Sequence, residues 1–146
     1  MKALSLIVAL GLLASGTAAA GNKTLTVNSK GKFKMVQFTD IHFGEKDNTD
    51  ALNQKLITEV LELEDPDLVI ISGDVVSGYA WDGKTKPWAA IQYDKMVQPI
   101  IAKGKYWATT AGNHDEEADL SREQISEVDR SYDYSLTKPN AANITH

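Results

Sequence analysis

Three short groups of polar residues carry side chains that commonly bind metal ions. They are Asp40-Ile41-His42, Gly73-Asp74 and Gly112-Asn113-His114-Asp115. Carboxylate, imidazole and amide donors without any thiol suit borderline or hard ions such as zinc, manganese and iron. The chain has no cysteine, which excludes both a thiolate site and a disulfide framework. These residue types favour a metal site if the fold brings the three groups together.

Each of the three groups follows a segment with the composition of a buried strand. Strands are predicted at residues 33–39, 68–71 and 105–110, and the second is an unbroken apolar run typical of a strand covered on both faces. A further strand is predicted at residues 24–27 with a turn at 28–31, so that the chain would enter the sheet through a hairpin.

Helices are predicted between these strands. Between about residues 50 and 64 apolar side chains recur at helical spacing, and Pro66 ends the segment. The residues of this stripe are Leu52, Leu56, Val60 and Leu63, with Ile57 alongside. A second helix is predicted at residues 88–101. Ser121 with Gln124 three residues later predicts a capping box that opens a short helix toward residue 130.

The alternation of strands and helices predicts right-handed crossovers and a parallel sheet. In such sheets, polar residues just past the carboxyl ends of the strands meet in one crevice. Asp40 and His42 are two residues apart, so an extended backbone would direct both side chains to the same side. Asp40, Asp74 and Asn113 each have a simpler explanation as turn residues. Three consecutive strands that end this way favour a shared site.

In this order and behind these strands, the three groups resemble those of the calcineurin-like metallophosphoesterase superfamily. The flanking sequences, from Phe33 through Phe43-Gly44 and from Leu120-Ser121-Arg122 to Tyr134-Ser135-Leu136, are similar to its secreted branch, which is related to purple acid phosphatases. The resemblance covers about residues 30–145. It implies an α/β fold in which a parallel βαβαβ sheet forms the amino-terminal half of an α/β/β/α sandwich.

The resemblance also implies a role for each residue. Asp40 and His42 would bind a first metal ion, Asp74 would bridge two ions, and Asn113 would bind the second through its amide oxygen. His114 would lie just outside the ions, placed to stabilise the phosphoryl oxygens or to protonate the leaving group. The cofactors would be two divalent or trivalent ions of iron, zinc or manganese. The substrate would be a small phosphate ester, with monoesters expected.

Two residues depart from the purple acid phosphatase pattern. Ser77 lies three residues after Asp74, where those enzymes carry a tyrosine, and His42 stands where they have a glycine. Tyr79, in the following loop, is not assigned the role of that tyrosine. We therefore expect no iron–tyrosinate centre.

The ligand set implied by the family is also incomplete. The family adds a later isolated histidine and a Gly-His-x-His element, whereas this chain has three histidines in all: His42, His114 and His146. His146 lacks that context and is interpreted as incidental. We expect residues 21–146 to be an incomplete phosphoesterase domain that lacks its carboxyl-terminal half and hydrolyses little by itself.

The neighbours of the third group are expected to support the site rather than to bind metal. Asp115, Glu116 and Glu117 are expected to be solvated or to contact the ligands rather than to bind metal themselves, and Asp115 could orient His114. The loop at residues 78–88 either rims the site with its lysine and aromatic side chains or packs through its tryptophans onto the sheet, and we favour packing.

The amino terminus predicts export. Lys2, a twelve-residue apolar segment and Ala18-Ala19-Ala20 form the pattern of a signal peptide at residues 1–20. Twelve apolar residues fall short of the ~20 that a spanning helix needs, so no stable membrane anchor is expected. The predicted location is secreted, vacuolar or lysosomal. A net charge of −5 offers no basic patch, so no nucleic-acid partner is expected.

A second interpretation has no catalysis. The chain would then be a secreted binding or interaction module that keeps the βαβ half of the fold, and its uncovered sheet face would need a partner or a second copy. Concentration-dependent assembly without turnover would favour this interpretation. The sequence leaves the oligomeric state open.

Overall fold

The computed structural model describes residues 24–139. The predicted signal peptide at residues 1–20 and His146 lie outside these residues. Between residues 24 and 139, no helix combines the length and the apolar character that crossing a membrane requires.

The described residues alternate strands and helices around a parallel sheet. In chain order the elements are β1 (Met35–Phe38), α1 (Asp47–Glu64), β2 (Leu68–Ile71), a 3-10 helix (Gly78–Ala80), α2 (Trp88–Ala102), β3 (Trp107–Thr109) and α3 (Arg122–Arg130). The strands lie in the order β1-β2-β3, and both pairs are parallel. This confirms the predicted α/β class and the βαβαβ order.

β2 is the central strand of the described sheet, as its apolar composition predicts. Val69 pairs with Val36 on one side and with Trp107 on the other. Val69, Ile71 and Trp107 are buried with side chains from α1 and α2 in one hydrophobic core. A strand with neighbours on both edges and helices against it has little room for polar side chains, which explains the unbroken run.

The predicted hairpin at residues 24–39 is wrong. Residues 24–27 form no strand, and Leu25 and Val27 are exposed. The predicted turn does form. It is stabilised by its own residues, because the side-chain oxygen of Asn28 accepts the N–H groups of Lys30 and Lys32. Apolar alternation stabilises a strand only where one face is buried, and this segment has no such surface. β1 takes its partner from β2 instead.

α1 is helical as predicted, but most of its predicted apolar stripe faces outward. Leu52, Leu56 and Leu63 are 65%, 52% and 82% exposed. Ile57 and Leu61 are the apolar residues that the helix buries in the core. The helix is therefore rotated relative to the orientation that its leucines predict.

Polar contacts account for this rotation. Asp50 is buried, accepts the backbone N–H of Gly44, and lies 2.6 Å from Lys95 Nζ on α2. One turn later, Asn53 donates to a backbone carbonyl of the loop after β1, and Gln54 donates to a backbone carbonyl of α2. Because these residues share a helical face with Ile57 and Leu61, anchoring them turns the leucines outward.

α3 begins with the predicted capping box. The Ser121 hydroxyl accepts the N–H of Gln124, and the Gln124 side chain accepts the N–H of Ser121. Two backbone donors at the start of the helix are thus satisfied by side chains, which is the purpose of this motif.

A buried carboxylate near the end of α3 joins several elements. Asp129 is fully buried and accepts hydrogen bonds from Tyr93 at 2.7 Å, Trp107 Nε1 at 2.5 Å and Ser135 at 2.7 Å. Burial and the charge of Asp129 raise the pKa of Tyr93, so the tyrosine hydroxyl keeps the proton that it donates. The cluster ties α2, β3 and the segment after α3 to one another.

We predict that Asp129→Asn lowers the free energy of unfolding by about 2–3 kcal/mol. The amide NH2 group is a donor, so it would face at least one of the buried donors that Asp129 now accepts, and that hydrogen bond would be lost. Urea unfolding followed by circular dichroism measures the change, with Asp133→Asn on the exposed surface as the matched control. Equal midpoints for the two variants would show that the buried carboxylate contributes nothing to stability.

Candidate metal centre

The loops that follow β1 and β2 run side by side. The N–H of Asp40 donates to the carbonyl of Gly73 at 3.1 Å, and the N–H of His42 donates to the carbonyl of Asp74 at 3.1 Å. Phe43 continues the series by donating to Val75 at 2.8 Å. The parallel hydrogen bonding thus extends past the strand ends and places the first two predicted groups next to each other.

Asp40, His42 and Asp74 do come together, but not through an extended backbone. Their φ angles are 53°, 58° and 48°, all in the left-handed region. Residues other than glycine adopt this backbone conformation at a cost of about 1–3 kcal/mol, usually where the surrounding structure imposes it. The prediction of an extended backbone at Asp40 and His42 is therefore wrong. A turn with left-handed φ angles directs the two side chains instead.

These three side chains form a group that fits a metal ion. Their potential ligand atoms all lie within 4.8 Å of one another. His42 and Asp74 are partly buried and Asp40 is exposed, so the group is open to solvent on one side. Two carboxylates and one imidazole match the preferences of zinc, manganese and iron.

Asp115 binds the loops after β2 and β3 together. It is 1% exposed, and its Oδ2 accepts the backbone N–H groups of Asp74 at 3.0 Å and Gly112 at 2.7 Å. Its Oδ1 accepts the N–H of Val76 at 3.0 Å. The carboxylate therefore holds the backbone of a predicted metal ligand against the third group.

Gly112 allows this close approach. A Cβ at this position would lie 2.1 Å from Asp74 Oδ1, which is far inside contact distance. Gly73, with φ of +97°, lies on the other side of the same junction, and a Cβ there would lie 2.6 Å from the Gly112 nitrogen. Two of the three groups contain a glycine because the two loops touch at these positions.

His114 lies beside the three-residue group. Its backbone N–H donates to Asp74 Oδ1 at 2.9 Å, and its ring centroid is 5.5 Å from that of His42. Its Nδ1 lies 2.7 Å from Glu117 Oε2, and this hydrogen bond raises the pKa of His114. Among the described residues, Glu117 and not Asp115 contacts the His114 ring. The possibility that Asp115 orients His114 is not realised: the Asp115 carboxylate accepts backbone N–H groups, and Glu117 accepts the His114 ring hydrogen bond.

Asn113 is exposed between two anchored residues. The N–H of Gly112 donates to Asp115, and the N–H of His114 donates to Asp74. These bonds fix the backbone of Asn113 at the edge of the group. Its role as a metal ligand remains a prediction.

Sequence reasoning missed the residues behind His42. Ser77 Oγ lies 3.0 Å from His42 Nδ1 and donates to Glu45 at 2.9 Å, and Glu45 also accepts the hydroxyl of Tyr79. The hydrogen bonds from Tyr79 and Ser77 lower the pKa of Glu45. Neither the spacing nor the composition of the chain indicates these contacts. Glu117, by contrast, lies three residues after His114, a spacing that allows contact within a turn.

The loop at residues 78–88 packs through its tryptophans, as favoured. Trp88 is buried and fills the space next to Gly44, where a Cβ would lie 2.6 Å from its ring. Trp81 is partly buried against the core, and its Nε1 donates to the carbonyl of Thr85 at 2.8 Å. Lys86 Nζ lies 5.9 Å from the centre of the Trp81 ring, a cation–π distance.

Comparisons with known proteins agree with the geometry. The model of the calcineurin-like phosphoesterase family matches residues 33–144. The chain is 34% identical over 131 residues to phosphatase DCR2 of Saccharomyces cerevisiae, a match that covers 81% of this chain and 22% of that protein. It is 28% identical over 134 residues to probable inactive purple acid phosphatase 14 of Arabidopsis thaliana, covering 82% of this chain and 32% of that protein.

A third relative, probable inactive purple acid phosphatase 29 of Arabidopsis thaliana, is 27% identical over 122 residues. The chain thus spans between 22% and 32% of the length of these three relatives. Its parallel sheet with flanking helices is that of the amino-terminal half of a metallophosphoesterase fold. By the extent of the match and by the order of its strand-end residues, the chain belongs to the calcineurin-like phosphoesterase family.

Proposed function

We propose that the chain contributes to a two-metal site that hydrolyses phosphate esters, with phosphomonoesters as the expected substrates. The observation that carries the proposal is the approach of Asp40, His42 and Asp74 to within 4.8 Å at the ends of two adjacent parallel strands. Membership of a metal-dependent phosphoesterase family supports this chemistry. The proposed site holds two metal ions, which would be iron, zinc or manganese.

Each ligand has a proposed position. Asp40 and His42 would hold the first ion, Asp74 would offer its carboxylate to both ions, and Asn113 would offer its amide oxygen to the second. When bound, the ions would lower the pKa of a water molecule and neutralise charge on the attacking and leaving oxygens. Asp74 suits a bridge because the N–H of His114 holds one of its oxygens and thereby fixes the carboxylate. Asn113 adds no negative charge to repel the phosphate.

His114 is proposed to stabilise the phosphoryl oxygens or to give a proton to the leaving group. Its side chain is 33% exposed, so it can reach a substrate from beside the metal group. Glu117 holds the ring through Nδ1, which leaves Nε2 as the nitrogen that can face the substrate. Glu117 therefore acts as a positioning residue for the proposed acid.

The ligand set on this chain is proposed to be partial. The later histidine and the Gly-His-x-His element that the family resemblance implies are absent from the sequence. We infer that the chain alone binds metal weakly and turns over little. We also propose that residues 1–20 direct it to a secreted, vacuolar or lysosomal location.

A second candidate function is a binding module without catalysis. Both Arabidopsis relatives described above are named as probable inactive phosphatases, which favours this candidate. The module would keep the parallel sheet and the metal group as a structural feature. Metal binding without hydrolysis, together with concentration-dependent assembly, would distinguish it from the enzyme.

The test of the proposed function combines metal titration with an activity assay on the full chain. We expect saturable binding of Zn²⁺ or Mn²⁺ by calorimetry, and slow hydrolysis of p-nitrophenyl phosphate only when metal is added. Failure to bind either ion would contradict the proposed site. Rapid hydrolysis would instead contradict the inference that the ligand set is partial.

A further inference from the structure

Three side chains form a hydrogen-bonded cluster behind His42. Ser77 is fully buried, and its Oγ lies 3.0 Å from His42 Nδ1, 2.9 Å from Glu45 Oε1 and 3.3 Å from the Tyr79 hydroxyl. Tyr79 also donates its hydroxyl proton to Glu45. Glu45 comes from the loop after β1, Ser77 from the loop after β2, and Tyr79 from the 3-10 helix that follows it. We call these three residues the Ser77 cluster.

The protons in the Ser77 cluster can be assigned from its donors and acceptors. An ionised glutamate only accepts hydrogen bonds, and each hydroxyl has one proton to give. Ser77 gives its proton to Glu45, so its oxygen can only accept from His42. The Nδ1 of a neutral His42 ring must then carry the hydrogen.

This assignment leaves Nε2 with a free lone pair. A histidine that binds metal through one nitrogen usually donates its other N–H to a neighbouring acceptor, which fixes the tautomer and the ring orientation. In this chain the acceptor is a buried hydroxyl that is itself held by a carboxylate. The arrangement has the order imidazole, hydroxyl, carboxylate.

We propose that the Ser77 cluster holds His42 in the Nδ1–H tautomer and so presents Nε2 to the metal group formed with Asp40 and Asp74. The proposal rests on the proposed metal site. Ser77, Glu45 and Tyr79 act as positioning residues, because their contacts are with the ring and with one another. The metal group would thus depend on residues that have no ligand role.

The test measures the tautomer first, in the full chain without added metal. Two-bond ¹⁵N–¹H correlation spectra at about pH 8, where an ordinary imidazole is neutral, separate the two ring nitrogens. A His42→Asn spectrum assigns the signals. We expect the Nδ1–H form of His42 in the native chain, and a shift toward Nε2–H in Ser77→Ala, which removes only one oxygen atom.

Metal affinity is the second measurement. We expect Ser77→Ala to weaken Zn²⁺ binding by about 10- to 100-fold, the range typical of such supporting partners. Glu45→Ala should weaken it in the same direction, whereas Glu45→Gln keeps an acceptor oxygen for Ser77 and should stay close to the native affinity. Ser72→Ala is the matched control, because Ser72 follows the same strand but bonds to Gln37 and Phe38.

Each outcome bears on the proposal. A native Nε2–H tautomer, or a Ser77→Ala tautomer and affinity equal to those of Ser72→Ala, would overturn it. A native chain that binds no Zn²⁺ contradicts the proposed metal site, while the metal-free spectra still decide the tautomer. Circular dichroism of each variant shows that the fold is intact, and Glu45→Ala, on an exposed residue, tests the cluster if Ser77→Ala is destabilised.

Discussion

Asp115→Ala is expected to lower the free energy of unfolding by about 3–5 kcal/mol, because each buried donor left without its acceptor costs about 1–3 kcal/mol. The three backbone N–H groups of Asp74, Val76 and Gly112 would lose their acceptor. For a chain of this size the midpoint of thermal unfolding should fall by roughly 10–15 °C. The loops after β2 and β3 would separate, so metal binding should weaken as well.

The neighbouring residue supplies the control for this prediction. Glu116 is about half exposed and pairs with Arg122 at 3.0 Å, so Glu116→Ala should change stability by less than about 1 kcal/mol. Asp115→Asn should fall between the two, since one amide oxygen can keep part of the bonding. If Asp115→Ala and Glu116→Ala unfolded at the same temperature in thermal scans, the buried carboxylate would not be what holds the loops together.

Asp74→Asn is expected to weaken metal binding by at least about 100-fold, beyond the 10- to 100-fold typical of supporting residues. The amide removes the negative charge and one of the two acceptor oxygens that a bridge needs. It can still accept the N–H of His114, so the thermal midpoint should change little. Asp74→Asn should therefore lose metal affinity with little loss of stability, whereas the main effect of Asp115→Ala should be a loss of stability.

Calorimetric titration with Zn²⁺ checks this prediction. Asp47→Asn removes the same charge from the exposed first turn of α1 and should bind metal as the native chain does. Native affinity in Asp74→Asn would exclude Asp74 from the ligand set. A loss of affinity in Asp47→Asn as well would indicate an effect of net charge rather than of a ligand.

Much of the fold is determined by the sequence through local signals. The apolar run at 68–71 and the capping box at Ser121 each place an element correctly, because strand burial and helix capping depend on residues close in the chain. The parallel arrangement then follows from the alternation, since a helix between two strands is the usual crossover that parallel pairing needs. Because the carboxyl ends of parallel strands lie at one edge, Asp40, His42 and Asp74 meet there.

Only the tertiary structure decided which face α1 buries and how the site is supported. The leucine stripe predicts one face, but Asp50 reaches Lys95, 45 residues away, and turns the helix. Asp115 contacts the N–H of Asp74 across 41 residues, and Ser77 contacts Glu45 across 32. Residue type and local spacing do not encode such pairings, because they depend on where two distant loops come to lie. The sequence therefore determined which groups meet at the sheet edge, and the packing of the loops decided what holds them there.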